Sequence, residues 1–176
     1  MAFAACNWDF FIKLAPMKSA VMLRLVRTNS ENPDFEKLVV LLDAVLAELD
    51  GEDHAFYAQF NKTNLINEVV LAYEDETPVA CGAIKKLDVH NAEVKRMYTL
   101  PEFRGQGFGK QVLCELEKWA SELGFASCVL ETGIKQADAI YLYHKCGYKN
   151  IENYGQYIGV DNSICMKKKI VSEHIK

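Results

Sequence analysis

Several features that would assign the chain to a specialised class of protein are absent or scarce. No run approaches the roughly 18 apolar residues of a membrane-spanning helix, so we expect no membrane partner. The formal net charge of −4 argues against a general nucleic-acid binder, because such proteins usually present a basic face. No low-complexity tract or linker interrupts the 176 residues, of which 50% are hydrophobic. This composition predicts one domain with a sizeable core.

The cysteines also lack the spacings that mark special chemistry. They form no C-x-x-C pair and share no zinc-type spacing with the histidines. Four of them lie inside apolar patterns, which is typical of buried, reduced thiols. We therefore expect no metal and a cytoplasmic location, although an even count leaves a disulfide arithmetically possible. The six are Cys6, Cys81, Cys114, Cys128, Cys146 and Cys165.

A glycine-studded segment is the most informative feature that the sequence does contain. It reads Arg104-Gly105-Gln106-Gly107-Phe108-Gly109-Lys110, after a strand pattern and at the start of an amphipathic helix pattern. Glycines let a backbone approach a ligand closely, and the free N–H groups at a helix N-terminus favour anions. The basic residues at both ends add positive charge. The segment predicts a phosphate-binding loop.

Two other phosphate-binding motifs compete for this loop. A P-loop requires G-x-x-x-x-G-K-[ST], but three residues separate Gly105 from Gly109, and Gln111 replaces the magnesium-binding Ser or Thr. A dinucleotide fold is a closer alternative, because Glu131 ends a later apolar strand about twenty residues on, where a ribose-binding acid would lie. The glycines nevertheless run G-x-G-x-G, and Pro101–Arg104 makes the turn longer than a tight Rossmann turn.

A second motif resolves this competition. It is a short helix pattern stopped by glycine, Ala139-Ile140-Tyr141-Leu142-Tyr143-His144-Lys145-Cys146-Gly147-Tyr148. Together the two segments resemble the GNAT superfamily of acetyl-coenzyme A-dependent N-acetyltransferases, over about Leu23 to Lys169. The family's Q/R-x-x-G-x-G/A and A-x-x-x-Y-x-x-x-G-F/Y motifs match Arg104, Gly107 and Gly109, and Ala139, Tyr143, Gly147 and Tyr148. The resemblance implies acetyl-coenzyme A as co-substrate.

Periodicity and turn residues predict a mixed α/β fold with the element order β-α-α-β-β-β-α-β-α-β-β. The resemblance implies that its parallel strands splay apart at the cofactor site. We predict one domain over 22–170, an N-terminal extension over 1–21 and a C-terminal tail over 171–176, and leave a homodimer open. Strands are predicted at Met22–Arg27, Val69–Tyr73, Val79–Leu87, Glu93–Leu100, Ala126–Leu130, Asn150–Tyr157 and Ile164–Ile170, and a short second helix at Asp53–Phe60.

Glu93 is the first candidate for a general base. An alkylammonium is not nucleophilic until it loses a proton, so a base should speed its attack on a thioester. By resemblance, Glu93 stands where the histone-acetyltransferase branch carries its strand glutamate. Alternation predicts that it shares a face with Lys95, Met97 and Thr99. The alternative is a glutamate that only pairs with Lys95 or Arg96.

Glu131 is the second candidate base, because it ends the neighbouring parallel strand and faces the same crevice. The alternative for Glu131 is a hydrogen bond to nearby backbone. By resemblance, Tyr143 protonates the departing thiolate, and Tyr141 is the weaker candidate because it faces elsewhere on the helix.

We expect further cofactor contacts from the strand before the glycine-studded loop and from the next loop along the chain. The main chain of Met97, Tyr98 and Thr99 should donate to the acetyl oxygen, and the resemblance implies that it also pairs with pantetheine. Gln136 replaces the asparagine that the family usually places seven residues before the helix tyrosine.

The expected acceptor is a primary amine of a small molecule or peptide, attacking directly in a ternary complex. The alternative function is a non-catalytic acyl-coenzyme A-binding regulatory module on the same fold. The resemblance implies that the first two helices and the final hairpin build the acceptor pocket. The candidate lining residues are therefore Glu52, Asp53, Tyr57, Asn61, Tyr154 and Tyr157.

Overall fold

The structure, a computed structural model, describes residues 23–59 and 66–170. It contains a seven-stranded sheet in the order β1-β2-β3-β4-β5-β7-β6. The strands are β1 (Leu23–Thr28), β2 (Glu68–Glu74), β3 (Thr77–Lys86), β4 (Asn91–Thr99), β5 (Ser127–Gly133), β6 (Lys149–Ile151) and β7 (Ser163–Lys169). The α-helices are α1 (Pro33–Asp50), α2 (His54–Ala58), α3 (Phe108–Glu122) and α4 (Ala137–Lys145). The predicted element order and α/β class are confirmed.

Local signals in the sequence set the ends of α1. The Asn32 side chain accepts a hydrogen bond from the Asp34 N–H at 2.9 Å, with Pro33 in the first turn. Gly51, with a φ of 57°, follows the last helical residue. The helix therefore begins and ends where its capping residues predict.

Helices cover both faces of the sheet. On one face, which we call the α1 face, Phe35, Leu38 and Leu42 pack against β2 and β3. On the opposite α3 face, Val112 and Leu116 pack against the same two strands. Because β2 and β3 are covered on both sides, they read as nearly continuous buried apolar runs.

A β-bulge interrupts β4. Lys95 pairs with Ala83 and Tyr98 pairs with Cys81, so two residues of β4, Arg96 and Met97, lie opposite one residue of β3. Arg96 has a φ of 58°, in the left-handed region. The bulge therefore shifts the alternation of side chains along the strand.

This shift makes the predicted common face of Glu93, Lys95, Met97 and Thr99 wrong. Glu93 and Lys95 alternate with core residues of the α3 face and so lie on the α1 face. Beyond the bulge, Tyr98 joins the α1 core and Met97 packs against the α3 core. Thr99 also lies on the α3 face, because its Oγ1 is 3.3 Å from where a Cβ on Gly109 would stand.

Two predicted boundaries also differ. The turn between β2 and β3 is Asp75–Glu76, made possible by a φ of 52° at Asp75, so Pro78 lies within β3. The predicted strand Asn150–Tyr157 ends at Ile151, and Gly155–Tyr157 forms a 3₁₀ turn.

The extension 1–21, the tail 171–176 and the positions Met22, Phe60 and Asn61 lie outside the described residues. Within the part of the chain that the structure describes, no helix is long and apolar enough to cross a membrane.

Candidate functional site

A cleft opens where β4 and β5 separate. These two strands are parallel and pair at Asn91–Ser127, Ala92–Cys128 and Glu93–Val129, and beyond Glu93 they diverge. The cleft beyond this point has a volume of about 860 Å³. Its lining includes every predicted catalytic and cofactor-binding residue except Gln106, whose side chain donates to the Glu102 carbonyl at 3.1 Å. The divergence of one strand pair therefore brings the predicted residues into one cavity.

The glycine-studded loop forms one end of the cleft. Gly105 and Gly107 have φ values of 74° and 89°, which glycine adopts without strain. Gly107 immediately precedes α3 and has no side chain with which to cap the first N–H groups of that helix. Gly109 packs closely between Thr99 and Leu142, so the start of α3 lies directly against the end of β4. These free donors lie in the wall of the cleft, an arrangement that favours a bound anion.

Arg104 and Lys110 provide the charge beside these donors. The Arg104 Nε donates to the Thr99 carbonyl at 3.1 Å, and its guanidinium lies 6.0 Å from the centre of the Tyr98 ring. Arg104 therefore ties the loop to the end of β4 while lining the cleft. Lys110 lines the cleft from the first turn of α3. Both cations favour a bound phosphate group.

Glu131 lies at the other end of the cleft, on β5. Burial raises the pKa of its carboxyl from the ordinary 4.5 to about 7, while a hydrogen bond from Ser163 and the charge of Lys95 act in the opposite direction. Asp50 and Glu93 add smaller upward contributions to this pKa. Its Oε1 atom is buried without a hydrogen-bond partner among the described residues. Glu131 can therefore take up or release a proton near neutral pH.

Glu93 lines the same cleft from β4 and has a different environment. The Lys95 Nζ lies 3.3 Å from its Oε2, and the Tyr154 hydroxyl donates to its Oε1 at 3.1 Å. Burial and the charge of Glu93 raise the pKa of Tyr154, so this hydroxyl remains a donor at neutral pH. Both oxygens of Glu93 are thus engaged by neighbouring groups, as in the ion-pair alternative that the sequence suggests.

Tyr143 reaches the cleft from α4. It is buried in the α3-face core, and its ring centre lies 5.7 Å from that of Tyr148. Burial, and secondarily the charge of Glu131, raises the pKa of the Tyr143 hydroxyl. The hydroxyl therefore stays protonated at neutral pH and can act as a donor. Tyr141 is largely exposed, and the Lys145 Nζ lies 5.4 Å from the centre of its ring.

Gln136 stands directly before α4, at the end of the loop that follows β5. The Thr132 hydroxyl donates to its Oε1 at 3.2 Å. The amide nitrogen packs against Gly133, where a Cβ would approach within 3.3 Å. The amide group is therefore held at the cleft wall, close to the end of β5.

Comparison with known proteins agrees with this geometry. The sequence profile of the Acetyltransferase (GNAT) family matches residues 31–148. The chain belongs to this family. An IAA acetyltransferase of Azospirillum brasilense is 36% identical over 103 residues, which span 57% of this chain and 67% of that protein.

Solved structures share the GNAT fold. A putative acyl-CoA N-acyltransferase of Klebsiella pneumoniae is 28% identical, with a TM-score of 0.72 over 85% of this chain and 99% of that one. The PaiA N-acetyltransferase of Thermoplasma acidophilum, solved in complex with coenzyme A, is 21% identical. Its TM-score is 0.62 over 84% of this chain and 99% of that one, a similarity of fold alone.

Only some of the residues predicted to form the acceptor pocket lie in the cleft of this GNAT protein. Tyr57 and Tyr157 line the cleft, and the Tyr57 hydroxyl lies 3.1 Å from the Ser163 Oγ. Tyr154 contacts Glu93 from behind the cleft lining, and Glu52 is exposed outside it. The side chain of Asp53 and all of Asn61 lie outside what the structure describes.

Sequence reasoning named no residue of α1 as part of the cleft lining. The apolar residues Leu42, Val45, Leu46 and Leu49 of this helix line the cleft together with Asp50. Their helical spacing predicts burial but does not reveal which part of the stripe faces a cavity. The bulge at Arg96 also had no sequence signal.

The sequence predicts reduced cysteines and no metal site, and the structure bears on these predictions only within the described ranges. The five cysteines within 23–59 and 66–170 are unbridged. Over these same ranges, no three His, Cys, Asp or Glu side chains converge in a way that could hold a metal ion.

Proposed function

We propose that the protein transfers the acetyl group of acetyl-coenzyme A to a primary amine of a small molecule or peptide, by direct attack in a ternary complex. The observation that carries this proposal is the pairing of a carboxyl whose pKa is about 7, Glu131, with the protonated hydroxyl of Tyr143 in one cleft. An anion site at the other end of the same cleft supports it.

Two features of the cleft and one related structure support coenzyme A as its ligand. The free N–H groups at the start of α3, with Arg104 and Lys110, suit its diphosphate. The edge of β4 beyond Glu93 is unpaired with β5, so its main chain can pair with the amides of pantetheine. PaiA, which shares the fold, binds coenzyme A in its crystal structure. When bound, acetyl-coenzyme A supplies an activated thioester carbonyl.

Glu131 is the proposed base, and Glu93 a supporting residue. A base works best when its pKa lies near the operating pH, and burial brings Glu131 to that range. The oxygens of Glu93 are already held by Lys95 and Tyr154. Glu131 removes one proton from the ammonium ion, which frees the nitrogen lone pair for attack.

Main-chain donors and Tyr143 complete the transfer. N–H groups within Met97–Thr99 stabilise the charge that develops on the carbonyl oxygen. As the carbon–nitrogen bond forms and the carbon–sulfur bond breaks, Tyr143 donates its proton to the sulfur. The second nitrogen proton restores the tyrosine hydroxyl, so one proton reaches solvent and one reaches the thiol.

Thiol release with a panel of primary amines tests this function. The panel contains an alkylamine, a polyamine, an amino acid and a short peptide, each with acetyl-coenzyme A. We expect at least one amine to release thiol far above the no-amine background and to give the N-acetyl product by mass spectrometry. Tight binding of acetyl-coenzyme A without release by any amine contradicts the proposal and favours the non-catalytic regulatory module.

A further inference from the structure

Arg96 is a buried cation in the wall of the cleft that the proposed chemistry does not use. Its side chain is 5% exposed, and Nη1 lies 2.6 Å from the Oδ1 of Asp43 on α1. Its Nε is buried without a hydrogen-bond partner among the described residues. Asp43 stands beside Leu42 in the stretch of α1 that lines the cleft. The ion pair therefore joins the bulge of β4 to α1.

Two unfavourable features coincide at this residue. A left-handed backbone costs energy for any residue with a Cβ, and a buried donor without a partner loses its hydration. Such features persist where surrounding contacts impose them, and they cluster at functional sites. Gly82, opposite the bulge, has no room for a side chain, because a Cβ would stand 2.4 Å from the Met97 sulfur. The bulge therefore involves both strands, with a left-handed Arg96 on β4 and a glycine opposite it on β3.

The position of the bulge explains what this conformation accomplishes. The three residues whose main chain is proposed to contact the thioester, Met97–Thr99, begin immediately after Arg96. If Arg96 relaxed to an extended conformation, regular alternation would return, and the peptide planes after it would rotate about the strand axis. An N–H group of this stretch that faces the cleft would then turn toward the other edge of the strand. A rigid bulge is therefore needed to aim it.

We propose that Arg96, held by Asp43, is a positioning residue that aims the cleft-facing main-chain N–H within Met97–Thr99 at the thioester oxygen. This inference rests on the proposed function, since it assumes that acetyl-coenzyme A binds in the cleft. It assigns the guanidinium no contact with substrate. Its effect on catalysis passes through the backbone.

Infrared difference spectroscopy of bound acetyl-coenzyme A, labelled with ¹³C at the acetyl carbonyl, tests the inference without any acceptor. Hydrogen bonds to a carbonyl lower its stretching frequency, so we expect a lowered band in the unmodified protein. Arg96→Gln, Asp43→Asn and Arg96→Gly should each lose most of this shift. The glycine variant adopts a positive φ without strain and so removes the ion pair alone.

Arg27→Gln is the matched control. Arg27 also joins a strand to a helix, through ion pairs with Glu115 and Glu122 of α3, but it lies outside the cleft lining. This variant should keep the full carbonyl shift. With an active amine, the Arg96 and Asp43 variants should lose about 10–100-fold in kcat, part of the loss seen when an oxyanion donor is removed. KM for both substrates should stay within about twofold.

Several outcomes would overturn the inference. An unchanged carbonyl band in folded Asp43→Asn would show that the ion pair does not aim the backbone. A band that stays lowered in Arg96→Gly would have the same meaning. A variant that loses thermal stability while keeping band and kcat would make Arg96 purely structural. Failure of the unmodified protein to bind acetyl-coenzyme A would instead refute the proposed function itself.

Discussion

Replacing Glu131 with Gln should make the protein more stable at pH 8 and much less active. Burial raises the pKa of this carboxyl from 4.5 to about 7 in the folded chain, whereas the unfolded chain restores the ordinary value. Between these two pH values the folded state holds a proton that the unfolded state has lost. The contribution of Glu131 to stability is therefore fully present below pH 4.5 and is lost as the pH rises through 7.

The size of this effect follows from the shift. Each pKa unit corresponds to 1.36 kcal/mol, so ionising Glu131 in the folded state costs about 3 kcal/mol at pH 8. Glutamine has nearly the same shape and cannot ionise, so the folded variant has no ionisation cost at this position. Because the amide must find its own hydrogen bonds, the observed gain should be about 1–3 kcal/mol at pH 8. At pH 4.5 the difference should nearly vanish.

Two assays on the same variant separate stability from catalysis. Urea unfolding at pH 4.5, 6 and 8 measures the free energy of unfolding directly. The pH dependence of kcat/KM should show an acid limb with an apparent pKa near 7 in the unmodified protein. Loss of the base should lower kcat by about 10²–10⁴-fold and remove this limb. Because the amine also titrates, the profile must be measured with two amines of different pKa.

Either of two results would refute this reasoning. In the first, the apparent pKa of the acid limb of kcat/KM follows the pKa of the amine and is unchanged in Glu131→Gln. That result would show that the enzyme contributes no base. A variant less stable than the parent at pH 8 would show that Glu131 is not held in an unfavourable ionised state. The first result removes the catalytic role, and the second removes its electrostatic cause.

Three further substitutions test other parts of the site. Glu93→Gln should lower stability by a few kcal/mol, because it leaves the buried Lys95 without its carboxylate, and urea unfolding at pH 8 should show the opposite sign to Glu131→Gln. Tyr143→Phe should lower kcat by about 10²-fold with an unchanged Kd for acetyl-coenzyme A, and equal turnover in single-turnover experiments would exclude a donor role. Gly107→Ala and Gly124→Ala both place a Cβ on a backbone with φ near 90° at the two ends of α3, so each should cost about 1–2 kcal/mol. Calorimetry should show weakened binding of acetyl-coenzyme A in the Gly107 variant alone.

The order of the elements could be predicted because it depends on local signals. The apolar spacing of α1 and its Asn32-Pro33 start are properties of neighbouring residues, and the structure reproduces them. The positive φ values at Gly105 and Gly107 follow from the same kind of signal, since glycine tolerates them without strain. The glycine spacing therefore predicted both where the chain turns and where free donors collect.

The bulge at Arg96 depends on contacts distant in sequence and could not be predicted in this way. Arginine carries no preference for a left-handed backbone, and its partner Asp43 lies on another element. The shortness of β6 has a similar origin. The stretch from Asn153 to Tyr157 turns inward instead of extending the strand. There the Tyr154 hydroxyl donates a hydrogen bond to Glu93, and Tyr157 is buried. Tertiary packing overrides the local pattern at both places.

The choice between Glu93 and Glu131 as base shows why residue type and spacing were insufficient. Both are glutamates on neighbouring strands of one cleft, so the sequence gives them the same chemistry. Lys95 lies 3.3 Å from Glu93, and together they carry almost no net charge toward Glu131. Their opposing effects on the Glu131 carboxyl leave burial as the dominant cause of its raised pKa. Glu93 is thus held in place by Lys95 and Tyr154, while burial leaves Glu131 able to exchange a proton near neutral pH.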